Sequence, residues 1–307
     1  GTRLLERLIY GEGIATGNLA GRLHRHYDAA GVVTFDAYDF RGNLTASSRQ
    51  LARGYRSSID WIALESLTNS IALDAAASAL VVTADRFDTK SMYDAMNRPI
   101  QVTLPHSAAM RASVIRSTYN EAGLLDKVDL WLRVATPPTT LLSPATADVH
   151  AVTDVAYNAR GQRTSVTFGN GTITTFDFEP TTFRLVHLTT VRPSADPKQR
   201  VVQDLAYGHD PEGNITRIDD TADLHNVIYF QNRRVEPSAR YTYDATYRLI
   251  EATGREHLGL TGAVLRAPEQ VGDDESLRTG LFHPGDGNAV GTYTETYDYD
   301  AVGNLKA

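Results

Sequence analysis

Histidine, aspartate and tyrosine recur along this 307-residue chain in groupings that could each do chemistry. His24-Arg25-His26 sets two imidazoles two residues apart, on one face of a strand, where they could form a metal pair. Two histidines without a paired carboxylate make a poor site, so the reading taken is a polar strand face. Asp210-Pro211-Glu212-Gly213-Asn214 has the outline of a calcium loop but lacks its spaced acids and terminal Glu. His283-Pro284-Gly285-Asp286-Gly287-Asn288 brings a His and an Asp together in a loop, the usual ground for catalytic groups. Gly272 opens the acidic run Asp273-Asp274-Glu275, read with Asp219-Asp220 as solvated turn chemistry. The chain has no serine elbow, P-loop or dinucleotide-binding glycine pattern. Asn43-Leu44-Thr45, Asn170-Gly171-Thr172 and Asn214-Ile215-Thr216 match the glycosylation sequon and are given little weight. No catalytic residue, cofactor or metal ligand is assigned.

Composition narrows the function classes. A net charge of -7 argues against a nucleic-acid partner, since phosphate binding needs a basic field. The absence of cysteine excludes disulfides, thiolate metal sites and a cysteine nucleophile. No apolar run approaches the roughly 18 residues needed to span a bilayer as a helix. No signal peptide begins at Gly1, because Arg3, Glu6 and Arg7 interrupt the apolar residues.

The elements that would carry these groups are set by a repeat. Nine times the chain writes a variation on Tyr-Asp-x-x-Gly followed by apolar-polar alternation, at Tyr27, Tyr38, Tyr93, Tyr119, Tyr157, Phe178, His209, Tyr243 and Tyr299. Its core residues, read as structural, are Tyr27, Asp28 and Gly31; Tyr38, Asp39 and Gly42; Tyr93 and Asp94; Tyr119 and Gly123; Tyr157 and Gly161; Asp210 and Gly213; Tyr243 and Asp244; and Tyr299, Asp300 and Gly303. The aromatic sits on an incoming strand, the Asp braces a turn, and the Gly supplies a positive φ. Each copy therefore predicts a β-hairpin closed by a type I turn with a Gly bulge. Asn97 tolerates the Gly position; Thr182 and Tyr247 there predict a different turn. Asn170-Gly171 predicts a separate two-residue type I′ hairpin.

The copies are irregularly spaced, which argues against a propeller or β-helix. The fold class expected is all-β: one long antiparallel sheet of repeat hairpins, curled by its own twist into a wall with two faces. One helical insertion interrupts it near 58-80, with Asp60 capping Trp61 to Leu67 and Asn69 or Ser70 capping a second helix through Leu80. Residues 135–148, 193–200 and 260–288 read as connections, leaving 1-307 as a single repeat domain.

The wording between the copies carries a resemblance. Arg22-Leu23-His24-Arg25-His26-Tyr27-Asp28-Ala29-Ala30-Gly31, Tyr38-Asp39-Phe40-Arg41-Gly42-Asn43-Leu44, Tyr93-Asp94-Ala95-Met96-Asn97-Arg98-Pro99, Tyr119-Asn120-Glu121-Ala122-Gly123-Leu124-Leu125 and Val235 to Asp244 resemble the YD, or Rhs, repeat region of insecticidal toxin complex proteins. The resemblance is to the B/C-type components with SpvB-like or TcdB-like neighbours, and it covers essentially the whole chain. It implies a hollow, secreted or cell-surface β-shell that encloses a toxin polypeptide held unfolded, and assembly with a pore-forming component that injects it. The implied partners are other shell segments or a second Tc/Rhs chain, and the cargo polypeptide.

Shells of this kind end in a core segment with an aspartyl self-cleavage site, followed by a variable toxin. Neither is found before Ala307, and no SpvB-like portion precedes Gly1. The chain therefore reads as a fragment of a larger shell, and self-cleavage is carried over to no residue. Sheet edges left by such a cut predict self-pairing, aggregation or a partner chain, unless loops cover the edges. The alternative function is a carbohydrate-active lyase or hydrolase, or a glycan-binding module, built on the same scaffold. It requires a convergent His, Tyr and acid cluster away from the turns.

Overall fold

The computed structural model describes residues 3–54, 56–222, 227–230, 232–258 and 287–306. The expected loop cluster at His283 and Asp286 and the acidic run at Asp273 lie outside them. The chain divides into two compact units, Gly1–Val155 and Ala156–Ala307.

The first unit is an antiparallel meander of β1 (Arg7–Tyr10), β2 (Leu23–Asp28), β3 (Gly31–Tyr38), β4 (Leu44–Ala52), β5 (Val81–Tyr93), β6 (Pro99–His106), β7 (Ala112–Tyr119), β8 (Leu125–Val134) and β9 (Val149–Tyr157), each strand paired with the next. Pro99 opens β6, the strand position at which the missing N–H breaks no ladder.

Between β4 and β5 the chain leaves the sheet. Asp60 Oδ1 accepts from the Ile62 N–H, but it starts only one 3-10 turn, Ile62–Leu64, rather than a helix through Leu67. The same carboxylate oxygen also accepts from the Leu4 N–H, which diverts it from serving a cap alone. Helix α1 (Ser70–Ser78) follows, with the Asn69 side chain accepting from the N–H groups of Ile71 and Ala72. Leu73 and Ala77, one turn apart, face inward. They join Tyr27, Val32, Ile59, Trp61, Leu64 and Val81 in the core of this unit. Trp61 is fully buried and packs edge-on against the Tyr27 ring, with centroids 5.1 Å apart.

The second unit repeats the hairpin plan with β10 (Arg163–Phe168), β11 (Ile173–Phe178), β12 (Leu185–Val191), β13 (Val201–His209) and β14 (Ile215–Asp220). Here β14 pairs with β17 (Ser238–Tyr243), and the ladder continues to β18 (Leu249–His257) and β19 (Val290–Thr296). The strands skipped in that order, β15 (Ile228–Phe230) and β16 (Arg233–Val235), form a separate two-stranded sheet among the described residues. Among the described residues the fold class is thus mostly β and antiparallel, with one short α-helix.

The Asn170-Gly171 hairpin corrects its expected turn. The Phe168 N–H donates to Thr172 O at 2.8 Å and the Gly171 N–H to Phe168 O at 2.9 Å, enclosing a three-residue loop. Gly171 has φ +81° while Asn170 stays at negative φ, so the type I′ requirement of two positive φ values fails.

Candidate functional site

Seven of the nine copies, at Tyr38, Tyr93, Tyr119, Tyr157, His209, Tyr243 and Tyr299, close one and the same turn. The residue after the aromatic donates its N–H four places ahead, as Asp39 does to Asn43 O, and accepts from the residue three ahead, as from Gly42. That last residue lies at φ between 63° and 107° in every case. Tyr247 is among them, at φ +63°, so the different turn expected there is not formed. The hydrogen bonds around Asp244 hold Tyr247 in the left-handed region against its own preference. The Phe178 copy does depart: the Glu179 N–H reaches Arg184 O, one residue further, and Phe183 takes the positive φ.

The Asp side chain staples this turn. Asp39 Oδ1 accepts from the N–H groups of Arg41 and Asn43 at 2.9 Å, and Oδ2 from Asn43 Nδ2 at 2.8 Å. Asp94, Asp210, Asp244 and Asp300 make corresponding sets. Asn120 and Asn158 accept through Oδ1 without a charge. The Asn side chain five places after the aromatic holds the carboxyls of Asp39, Asp210 and Asp300 below the usual carboxylate range. For Asp94 and Asp244 the backbone N–H of Arg98 and of Arg248 is the leading cause of the same depression. In Asp210-Pro211-Glu212-Gly213-Asn214 both carboxylate oxygens are therefore spent on the turn itself.

Successive turns are tied together. The Tyr93 hydroxyl donates to Leu44 O, Tyr119 to Pro99 O, Tyr243 to Ile215 O and Tyr299 to Leu249 O, at 2.8 to 3.1 Å. Each acceptor stands six residues after the aromatic of the preceding copy. The residue before that acceptor also reaches forward. Asn43 Nδ2 donates to Asn97 Oδ1 at 3.0 Å, and Gln162 Nε2 to Phe183 O at 2.9 Å. Arg98 lies 4.3 Å from the Tyr119 ring centroid and Arg248 4.9 Å from that of Tyr299. Arg184, displaced by one in its longer turn, donates to Asp210 O and Pro211 O, both at 2.6 Å. A Cβ on Gly213 would come within 3.1 Å of the Arg184 guanidinium, so glycine gives that arm its room.

The first copy is built differently. Asp28 pairs directly with Gly31 across a two-residue loop, Ala29-Ala30, instead of the expected bulged turn. Gly31 sits at φ +131°, and a Cβ there would meet Gln50 O at 2.1 Å. The Asp28 carboxylate accepts from both Arg49 Nη atoms, at 2.7 and 2.9 Å, and from the Ala30 N–H. Burial opposes the charge, yet Arg49 and Ala30 keep this carboxyl below its ordinary value. Trp61 Nε1 donates to Asp28 O at 3.0 Å.

The histidines find carboxylates away from the turns. His26 Nε2 lies 2.6 Å from Glu6, while His24 Nδ1 faces Phe35 O. His26 thus has the carboxylate that the sequence did not reveal, and His24 is engaged elsewhere. His187 stands between Asp204, 2.5 Å from Nε2, and Asp177. The Thr221 hydroxyl first, then His187, lowers the Asp204 carboxyl against a burial penalty. His150 Nδ1 lies 2.6 Å from the buried Asp129, beside a concavity of about 320 Å³ lined by Lys127, Pro144 and Val152. Among the described residues no three His, Asp or Glu side chains are placed to share an ion.

No family model matches the chain. Two curated proteins of Yersinia entomophaga do: toxin subunit YenC2 is 29% identical over 94% of this chain, and toxin subunit YenC1 is 30% identical over 99% of it. This chain is homologous to Tc toxin subunits. It spans about a quarter of the length of those two relatives. Crystal structures of TcdB2-TccC3, alone and with Cdc42, match 99% of it at 30% identity, with TM-scores of 0.66 and 0.65. A Photorhabdus luminescens Tc holotoxin pore matches with a TM-score of 0.65. The chain spans about an eighth of these solved chains.

What the repeat reading missed in this Tc homologue is the position five after the aromatic. In six of the seven copies that share the turn its occupant is polar, namely Asn43, Arg98, Gln162, Asn214, Arg248 and Asn304; the Tyr119 copy has Leu124 there. That polar bias was the available signal for a side chain with a partner beyond its own hairpin.

Proposed function

We propose that this chain is a wall segment of a bacterial Tc toxin subunit, a single YD/Rhs-repeat domain that encloses or scaffolds a toxin polypeptide. The observation that carries this is the turn ladder. Asp39, Asp94, Asp210, Asp244 and Asp300 are spent on their own turns, and the Tyr93, Tyr119, Tyr243 and Tyr299 hydroxyls on the preceding copy, so these repeat side chains serve structure. Side chains so committed hold the hairpins of each unit together, which is what enclosing a cargo requires. The 58-80 insertion caps one hairpin of that wall. The natural partners are a TcdB2-like chain and further shell segments, in a secreted or cell-surface assembly.

The test is protease protection. The natural reading frame containing this segment is co-expressed with a TcdB2-like partner, and a reporter polypeptide is placed as cargo. Protection that is lost on combining Tyr93→Phe, Tyr119→Phe and Arg98→Ala supports the reading. A cargo digested at the same rate with the ladder intact or broken overturns it.

A carbohydrate-active role is the second reading, favoured by one observation: the His150–Asp129 pair stands beside a concavity and away from the turns. A glycan array with a lyase and hydrolase screen, negative for neutral and anionic polysaccharides, retires it.

A further inference from the structure

The segment 135–148, expected to be a simple connection, crosses one face of β6, β7 and β8 as a strap. Beneath it runs a polar row at right angles to the strands: Gln101 stands opposite Arg116, Arg116 opposite Asp129, and Asp129 opposite His150. Gln101 is only 2% exposed, and its amide is spent on strap backbone. Its Oε1 accepts from the Leu142 N–H at 2.9 Å and its Nε2 donates to Thr140 O at 3.0 Å. One side-chain amide thus offers the donor and acceptor that a neighbouring strand would offer. Arg116 donates to Leu142 O. These three bonds all go to main-chain atoms of the strap, so they read an extended backbone and no particular sequence.

The strap invests little else. Thr139, Thr140, Leu141 and Ser143 are exposed, and only Leu142 among the residues from 139 to 146 is half-buried. Further along, the Trp131 indole donates to Thr146 Oγ1 at 3.1 Å. Pro137 and Pro138 hold the approach extended and donate no N–H. A segment with few buried apolar contacts opens locally at low cost. When it lifts, the buried Gln101 amide and Arg116 lose these partners, and any other extended chain can restore them.

We propose that the Gln101–Arg116 pair is a clamp for extended polypeptide backbone, with residues 140–142 as its resident and displaceable occupant. The partner it fits is an unfolded protein segment of unspecified sequence. Only the identity of that segment as toxin cargo rests on the shell reading; the clamp itself does not.

The 307-residue chain is followed by amide hydrogen exchange with and without excess reduced, carboxymethylated α-lactalbumin, which stays unfolded. Exchange at Leu142 is expected to rise about tenfold with this probe and to stay unchanged with native α-lactalbumin, while β7 and β8 keep their protection. In Gln101→Leu the strap exchanges fast with or without the probe; Arg116→Gln is the second variant if the first does not fold. Strap exchange indifferent to the unfolded probe overturns the clamp, as does a probe effect that survives in both variants. A cargo digested at the same rate with the ladder intact or broken, with the probe effect intact, removes the shell reading and leaves the clamp standing.

Discussion

The hairpin at Tyr27 and the hairpins from Tyr38 onward share a sequence motif and use it in opposite ways. In the first, the aromatic goes inward: Tyr27 is 1% exposed and sits against Trp61 in the core. Its Asp reaches across two strands to Arg49. In the copies at Tyr93, Tyr119, Tyr243 and Tyr299 the aromatic stays half-buried and its hydroxyl ties one turn to the one before, and Asp94, Asp244 and Asp300 serve their own loops. The difference traces to the insertion. Trp61 and α1 give the first hairpin an apolar cover, so ring burial dominates there. Where no helix covers the sheet, the same side chain contributes mainly through its polar tip. One motif can therefore anchor a core in one place and act as a clasp in another.

The largest effect expected from breaking this contrast comes from Trp61→Ala. Removing a fully buried indole and its bond to Asp28 O costs about 3–5 kcal/mol. Urea unfolding with hydrogen exchange resolved by strand should show the loss in β2 to β4, with the turn at Asp244 unaffected. Arg49→Met comes next. It leaves Asp28, about a quarter exposed, without its guanidinium, at a cost of about 1–3 kcal/mol read from the same urea midpoint. Tyr247→Gly sharpens the comparison in the other direction. It relieves a left-handed tyrosine in a later copy and should stabilise the chain by about 1 kcal/mol.

Acid gives the smallest and most distributed effect. The carboxyls of Asp39, Asp94, Asp210, Asp244 and Asp300 are all lower in the folded chain than in an unfolded one. Their contribution is therefore fully present above the unfolded value near pH 4 and is lost as pH falls through the lower folded values. Stability from these groups should be flat between about pH 6 and 5 and decline only below about 4. Replacing all five by Asn should flatten that decline in a series of urea midpoints against pH.

Much of this was legible in the residues. Alternation and Gly positions gave the hairpins, and Asn69 marked the start of α1. The turn at Tyr247 was not legible, because a local propensity was read where the Asp244 hydrogen bonds decide. The Asn-Gly pair misled for a related reason: Phe168 and Thr172 close a wider loop in which only Gly171 needs a positive φ. The strap over Gln101 was hidden because its contacts run from one side chain to main-chain atoms about 40 residues away, which no pattern in the strap records. The pairing of His26 with Glu6 and of His150 with Asp129 depends likewise on strand register rather than spacing.

The claim that one motif does two jobs is tested most directly by a Tyr→Phe series at Tyr27, Tyr93, Tyr119, Tyr243 and Tyr299, measured as urea-unfolding free energies. The clasp tyrosines should each lose about 0.5–1.5 kcal/mol, the worth of one hydroxyl hydrogen bond. Tyr27→Phe should be close to neutral, since the hydroxyl has only a long 3.5 Å contact from Arg25. Equal losses at Tyr27 and at the clasp positions, or no loss at any clasp position, would contradict the account.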